Sequence, residues 1–130
     1  MDEVFEFLKQ SGVFYIATND NGQPRVRPFG AVAKIDGKLC FPTNNQKKVY
    51  AQLISDPRFE ICAFFEGRWI RIEGRAKLDD RRESRAEMIA QCPTLANMYD
   101  PDDGIFVVFS IEGATATIAS FTDAPKTINF

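Results

Sequence analysis

The sequence predicts a mainly β domain: an antiparallel barrel, closed or nearly closed, of six or seven strands with few inserted helices. A two-sheet sandwich is the alternative that pattern alone leaves open. Three observations predict this class. Short runs rich in β-branched and aromatic residues recur along the chain. Tight-turn dipeptides, Asn21-Gly22, Asp36-Gly37 and Glu66-Gly67, separate many of them. Twelve phenylalanines among 130 residues supply an aromatic core for a chain of single-domain length, so residues 1–130 are read as one domain.

Residues 2–10 place Val4, Phe5 and Leu8, with Phe7, at helical spacing, and Gly12 stops the helix. VFYIAT (13–18) is the first strand. The segment 24–35, PRVRPFGAVAKI, reads as a second strand beyond the Asn21-Gly22 turn, and KLCFPT (38–43) as a third beyond Asp36-Gly37. These three make an antiparallel meander. A helix is expected from about Gln46 to Ile54, with Val49, Tyr50, Leu53 and Ile54 as its apolar stripe, ended by Asp56-Pro57. RFEICAFF (58–65) and RWIRIEGRAKL (68–78) form a hairpin across Glu66-Gly67. Asp80 and Glu83 are spaced as a capping box for a helix from Arg81 to Ala90, which Pro93 ends. A helical turn follows at Leu95–Tyr99, and two strands, 105–113 and 114–121, close the pattern.

Composition excludes several function classes. A net charge of −2 argues against a nucleic-acid binder, although local basic patches are allowed. Cys40, Cys62 and Cys92 are three isolated thiols without a Cys-x-x-Cys pair, which favours a reducing compartment and disfavours a structural metal site. No metal is expected. The acidic start MDEVFEFLKQSG lacks the features of a signal peptide, and no apolar run has membrane-spanning length. The expected location is the cytoplasm, with no membrane partner. Histidine does not occur, so Ser-His-Asp and Cys-His catalysis and histidine-ligated zinc or haem are excluded. If the chain is an enzyme, a bound organic cofactor is the simplest carrier of its chemistry. Asp100-Pro101-Asp102-Asp103 reads as a solvated turn, because it lacks calcium-loop spacing.

Two stretches are unusual for ordinary surface. After the third strand, Thr43, Asn44 and Asn45 are natural helix caps, yet Lys47 and Lys48 follow in the first helical turn. The helix dipole is positive there and prefers an anion. Capping groups, free backbone N–H groups and two ammonium groups suit a phosphate. Solvated lysines costing a few tenths of a kcal/mol are the plainer alternative. QPRVRPFG (23–30) carries Arg25 and Arg27 on one side of a strand interrupted by Pro28. Pro28 holds Arg27 extended and marks an edge or a bulge. The expected meander brings the Arg27 end of this strand beside the Thr43 end of the next. Arg25 reads as solvated or as a secondary contact, and a charged edge strand guarded against aggregation is the alternative for the whole stretch.

In order and spacing, the N-terminal helix, FYIATNDNGQPRVRPFGAV, LCFPTNNQKKVYAQLISDPRFEICAF and WIRIEGRAKL resemble the flavin-binding split-barrel family related to pyridoxamine 5'-phosphate oxidase. The resemblance covers nearly the whole chain and implies a six- to seven-stranded split β-barrel that binds FMN. It implies that Arg27, Thr43, Lys47 and Lys48 hold the FMN phosphate, with Asn44 shaping the turn. It places Pro28, Phe29 and Gly30 along the flavin ring, Pro42 at the pocket wall and Trp69 near the flavin. A barrel-core aromatic is the alternative reading of Trp69. The family also implies a homodimer with FMN at the interface. True pyridoxamine-phosphate oxidases use an Arg-x-His pair for substrate, and a basic residue where this chain has Ala31-Val32-Ala33. The implied activity is therefore a different FMN-dependent oxidoreductase, passing hydride or electrons from a reduced nicotinamide or similar donor to a small acceptor. The alternative is a flavin or deazaflavin binding or sensing module without efficient turnover.

Overall fold

The protein's structure, a computed structural model, describes all 130 residues. Helix α1 (Asp2–Ser11) leads into strands β1 (Phe14–Asp20), β2 (Gln23–Phe29), β3 (Ala33–Ile35) and β4 (Lys38–Asn44). Helix α2 (Lys48–Ser55), strands β5 (Arg58–Phe65) and β6 (Arg68–Asp79) and helix α3 (Arg82–Gln91) follow. A 3₁₀ helix (Pro93–Asn97), the long strand β7 (Phe106–Ser120) and β8 (Lys126–Asn129) complete the chain. The sheet runs β2-β1-β5-β6-β7-β4-β3, with β8 also pairing β7, and every pairing is antiparallel. It is mainly β, as expected, with an open sheet of eight strands where six or seven were anticipated. The three hairpin turns fall where the sequence placed them. Asn21-Gly22, Asp36-Gly37 and Glu66-Gly67 all take positive φ at both positions, matching the right-handed twist of the flanking strands.

The expected second strand, 24–35, is two strands at opposite edges of the sheet. β2 pairs only with β1, and its last pair is Phe14↔Phe29, because β1 begins where α1 and Gly12 end. Beyond Phe29 the chain has no partner on that side. Residues Gly30–Val32 carry it across the gap, and β3 then pairs with β4. The expected meander therefore does not form, and Thr43 pairs with Val107 of β7 rather than facing β2. The gap is bridged by side chains: the Phe29 ring on β2 meets Phe41 on β4 edge-on, with centroids 5.5 Å apart. The sheet thus curls until its edges touch without sharing a hydrogen-bond ladder, which is a split barrel.

The expected strands 105–113 and 114–121 are one. Gly113 has a φ of 56°, yet no turn forms there, because β6 continues alongside both halves. Glu73 pairs with Thr115 and Arg75 with Glu112, so Gly113 and Ala114 together oppose Gly74 alone. This β-bulge bends the pair of long strands. The C-terminal strand β8 lacked a recognisable alternation; its ladder with β7 ends in two bonds between Ala114 and Phe130, 2.7 and 2.9 Å.

The core lies inside the curl. Val4, Phe7 and Leu8 of α1, Phe14 and Ile16 of β1, Phe41 of β4 and Val49 and Leu53 of α2 belong to one buried cluster with the inward residues of β5–β7. A second cluster beneath α3 and the 3₁₀ helix joins Met88 and Leu95 to Ile35, Phe106 and Val108. The capping box expected at Asp80 and Glu83 is absent: α3 begins after Arg81 without a side-chain cap. Asp79 takes over, accepting hydrogen bonds from Ser84 Oγ at 2.6 Å and Arg81 Nε at 2.8 Å. The Arg81 bonds, with help from Ser84, hold its carboxyl down at about 2 against the opposing effect of burial.

The bulge allows little tolerance. A Cβ on Gly74 would meet Ala114 Cβ at 3.1 Å and backbone atoms of Ala114 and Glu112 at 3.2 Å. Gly74→Ala is expected to cost about 1–3 kcal/mol, as overpacking does. Urea unfolding measures it, and an unchanged midpoint would mean that the strands separate freely at this point.

Candidate functional site

A cleft of about 330 Å³ opens at the seam where the sheet fails to close. One wall is the end of β2 with the crossing segment: Arg27, Pro28, Phe29, Gly30 and Ala31. The facing wall is Pro42 and Thr43 of β4, with Lys47 and Val49 at the start of α2. Thr94, Leu95, Met98 and Tyr99, in and just after the 3₁₀ helix, form its third side. The volume and mixed lining suit a small organic ligand.

Arg27 is fixed from below. Because Arg27 lies opposite Ile16, its side chain shares the inner face of the sheet with Ile16 and Thr18. Its Nη1 donates to Ile16 O at 3.1 Å and to Thr18 Oγ1 at 2.8 Å, and its Nη2 donates to Gln52 Oε1 at 2.7 Å. The Thr18 hydroxyl donates in turn to Gln52 Oε1 at 2.6 Å. These partners are neutral, so the guanidinium charge is oriented but not cancelled. Burial, and secondarily the nearby Arg25 charge, pull its pKa down, although a guanidinium stays charged in a protein. Three of its five N–H donors are engaged here, which leaves two for a ligand.

Across the cleft, Thr43 is 5% exposed, and its Oγ1 is the one buried side-chain nitrogen or oxygen in the chain without a hydrogen-bond partner. Leaving such a group unpaired costs on the order of 1–3 kcal/mol, so it calls for a partner from outside the chain. Lys47 and Lys48 are exposed, and no ion pair of the chain involves them. The helix they introduce has no side-chain cap and no acidic residue in its first turn. The N–H of Tyr50 turns back to Lys47 O at 3.1 Å, which leaves those of Lys48 and Val49 uncompensated. An oriented guanidinium, an orphaned buried hydroxyl, a free ammonium and a bare helix start fit an anionic group.

The cleft brings together seven of the residues singled out from the sequence: Arg27, Pro28, Phe29, Gly30, Pro42, Thr43 and Lys47. Lys48 lines an adjoining depression instead. Asn44 stands behind the wall, where its Oδ1 accepts from Gln46 N at 3.0 Å and its Nδ2 donates to Tyr99 Oη at 2.8 Å. It therefore shapes the turn and ties it to the third side of the cleft. The helix begins later than the sequence suggested, with Lys47 as the N-cap, so Thr43, Asn44 and Asn45 are not its caps. Trp69 is on the outer face of the sheet, against Phe121 at 5.0 Å and in a different depression with Glu60, Arg71 and Thr117; within one chain it does not reach the cleft.

Several contributors escaped the sequence reading, Thr94 and Met98 of the third side among them. Gln52 and Thr18, which orient Arg27, carried a signal: each occupies an inward position of an otherwise apolar pattern, and a buried polar group there needs a partner. Leu95 and Tyr99 had none, since only the tertiary path of the 3₁₀ segment brings them to the seam. No group of three or more histidine, cysteine, aspartate or glutamate side chains is arranged to hold a metal ion.

A family model described as pyridoxamine 5'-phosphate oxidase matches residues 1–118. The crystal structure of a NimC/NimA family protein from Clostridium acetobutylicum is 45% identical and superposes with a TM-score of 0.98, over 100% of this chain and 92% of that one. General stress protein 26 from Bacillus anthracis shares the fold at 16% identity and a TM-score of 0.77, over 98% and 97% of the two chains. A FAD-binding protein from Mesorhizobium loti does so at 20% identity and 0.66, over 91% and 94%. No match is found among curated proteins. With the model spanning all but the last strand and the end of β7, and the seam cleft in place, the chain belongs to the pyridoxamine 5'-phosphate oxidase family.

Proposed function

We propose that the seam cleft binds FMN and that the chain is an FMN-dependent oxidoreductase acting on a small substrate other than pyridoxamine phosphate. The observation that carries this reading is the orphaned hydroxyl of Thr43, a residue that lines the same cleft as an oriented, uncancelled Arg27. Thr43 would donate to a phosphate oxygen, Arg27 would offer its two remaining N–H donors, and Lys47 would add charge at the helix start. Pro28, Phe29 and Gly30 would flank the ring, and Pro42 would close the wall. When bound, the flavin supplies the hydride and electron chemistry between a reduced nicotinamide or similar donor and the acceptor. The residues supply binding, orientation and exclusion of water. No acid or base from histidine is required, which accords with a chain that has none. No helix is long and apolar enough to cross a membrane, and a cytoplasmic location is part of the same proposal.

The proposal includes a homodimer. The outward face of the sheet is rich in exposed apolar residues: Tyr15 is 49% exposed, Phe64 63% and Val26 67%. The register places Tyr15, Val26, Phe64 and Trp69 on this one face. Pro28 lies opposite Tyr15 and also lines the cleft, so this face runs up to the ligand site. A second copy seated there would cover the apolar patch and bring its own residues to the cleft mouth. Phe64→Arg is expected to convert the dimer to a monomer in sedimentation velocity and to weaken flavin binding as well. A variant that stays dimeric, or a wild type that is monomeric at micromolar concentration, counts against this interface.

Titration of FMN by fluorescence quenching tests the site. Arg27→Ala and Lys47→Ala should each weaken binding about 10- to 100-fold, which corresponds to the loss of a charge-assisted hydrogen bond. Thr43→Val gives a double signature. It removes an unpaired buried hydroxyl at nearly constant shape, so the ligand-free protein should gain roughly 1 kcal/mol of stability, a few degrees in Tm. FMN affinity should fall in the same variant. Undiminished affinity in all three variants rules out the phosphate position. Reduction of the bound flavin by a reduced nicotinamide separates an oxidoreductase from a module that only binds or senses.

A further inference from the structure

We infer that the end of the seam cleft formed by the 3₁₀ segment is a subsite for a small, flat, uncharged molecule bearing an acceptor oxygen, and that the Tyr99 hydroxyl donates to that oxygen. This rests on the flavin reading above and names the class of substrate that the same cleft accepts.

The hydrogen bonds around Asn44 assign the Tyr99 proton. A backbone N–H can only donate, so the Asn44 amide atom that Gln46 N reaches at 3.0 Å is the carbonyl oxygen, Oδ1. The other amide atom, Nδ2, therefore faces Tyr99 Oη at 2.8 Å and donates to it. A phenol oxygen that accepts in this way keeps its own proton for a different partner, and no acceptor of the chain takes it. The ring that carries this hydroxyl is held in place. It packs against Phe106 with centroids 4.9 Å apart, and the Tyr99 N–H returns to Leu95 O at 2.9 Å. Tyr99 lines the cleft and is half-buried there. It is an ordered donor without an acceptor of its own.

Charge gives the class of molecule. Arg27 and Lys47 are the only charged residues lining the cleft, and both also line the adjoining depression. The cations thus gather at the border of the two hollows, where the proposed flavin phosphate engages them. The rest of the lining, which includes Phe29, Ala31, Leu95 and Met98, contains no carboxylate, lysine or arginine. A charged group carried into that end leaves water with no counter-charge to meet it, a cost that disfavours anions and cations alike. Apolar surface is available instead. Leu95 is buried, and Met98, 67% exposed, adds a flexible apolar side chain. A flat molecule is held between these side chains and the Phe29–Gly30 wall, with its oxygen on the Tyr99 phenol. A substrate with a phosphate of its own finds no second cation there.

Benzamide and benzoate share a shape and an acceptor oxygen and differ in charge, so their isothermal titration into the FMN-saturated protein tests the subsite. Benzamide is expected to bind at least about tenfold tighter than benzoate. Met98→Lys, a change at an exposed side chain, should reverse that order by supplying the missing cation. Tyr99→Phe should weaken benzamide about three- to tenfold, the loss of one hydrogen bond, and leave FMN affinity within about twofold. Thermal unfolding checks that both variants are folded. No benzamide binding at millimolar concentration, benzoate binding as tightly as benzamide, or an order unchanged by Met98→Lys overturns the inference while leaving the flavin site intact. A Tyr99→Phe variant that loses FMN in the same measure as benzamide puts the phenol on the flavin ring and overturns it too. If FMN does not bind the wild type, the flavin reading itself fails and the subsite falls with it.

Discussion

The site depends on a seam that the sheet cannot close. β1 starts only at Phe14, because α1 occupies the residues before it and Gly12 ends the helix. β2 therefore loses its partner after Phe29, and three residues carry the chain to the opposite edge. Contact between the edges then rests on Phe29 against Phe41, an aromatic pair worth about 0.5–1.5 kcal/mol beyond its burial, in place of a ladder. An edge that stays unpaired keeps backbone groups and side chains available, and every wall of the cleft is a consequence of that gap. The bulge opposite Gly74 is the complementary device, bending β6 and β7 so that the far edge can come round.

The two sides of the seam are prepared in opposite ways. Arg27 is over-determined: three hydrogen bonds to Ile16, Thr18 and Gln52 hold a charge in place without neutralising it. Thr43 is under-satisfied, a buried hydroxyl whose partner the chain does not supply. The first arrangement removes the entropy cost of ordering a long side chain on binding. The second costs stability in the free protein, and in the proposed flavin complex that hydroxyl would gain its partner. Asn44 couples the Thr43 side to the third side of the cleft, since the turn presenting Thr43 and Lys47 is tied through it to Tyr99.

Much of this was legible in the residues. The three X-Gly hairpins, the two hairpin-linked strands at 58–78 and the apolar face of α1 follow from turn chemistry and period alone. The Lys47–Lys48 anomaly and the Arg27-Pro28 stretch pointed to one place, although the reason given for their proximity, pairing between neighbouring strands, was wrong. Their meeting is tertiary, across a seam. Pro28 did mark an edge, but local pattern could not say that the strand ended one residue later, because that limit is set by where β1 begins. The merging of 105–113 with 114–121 was equally hidden: Gly113 looks like a turn residue, and only the continuous neighbour β6 makes it a bend. Trp69 came from family likeness rather than from its own surroundings, and its outward position follows from the alternation of β6 opposite Phe64.

The most direct test of the central claim, that the seam cleft is a phosphate-anchored flavin site, is a crystal structure of the protein with FMN. The account predicts phosphate oxygens within about 3.2 Å of both Thr43 Oγ1 and the Arg27 guanidinium, with the ring alongside Pro28–Gly30. A flavin whose phosphate lies away from both groups, with the Thr43 hydroxyl still unpartnered, would contradict it.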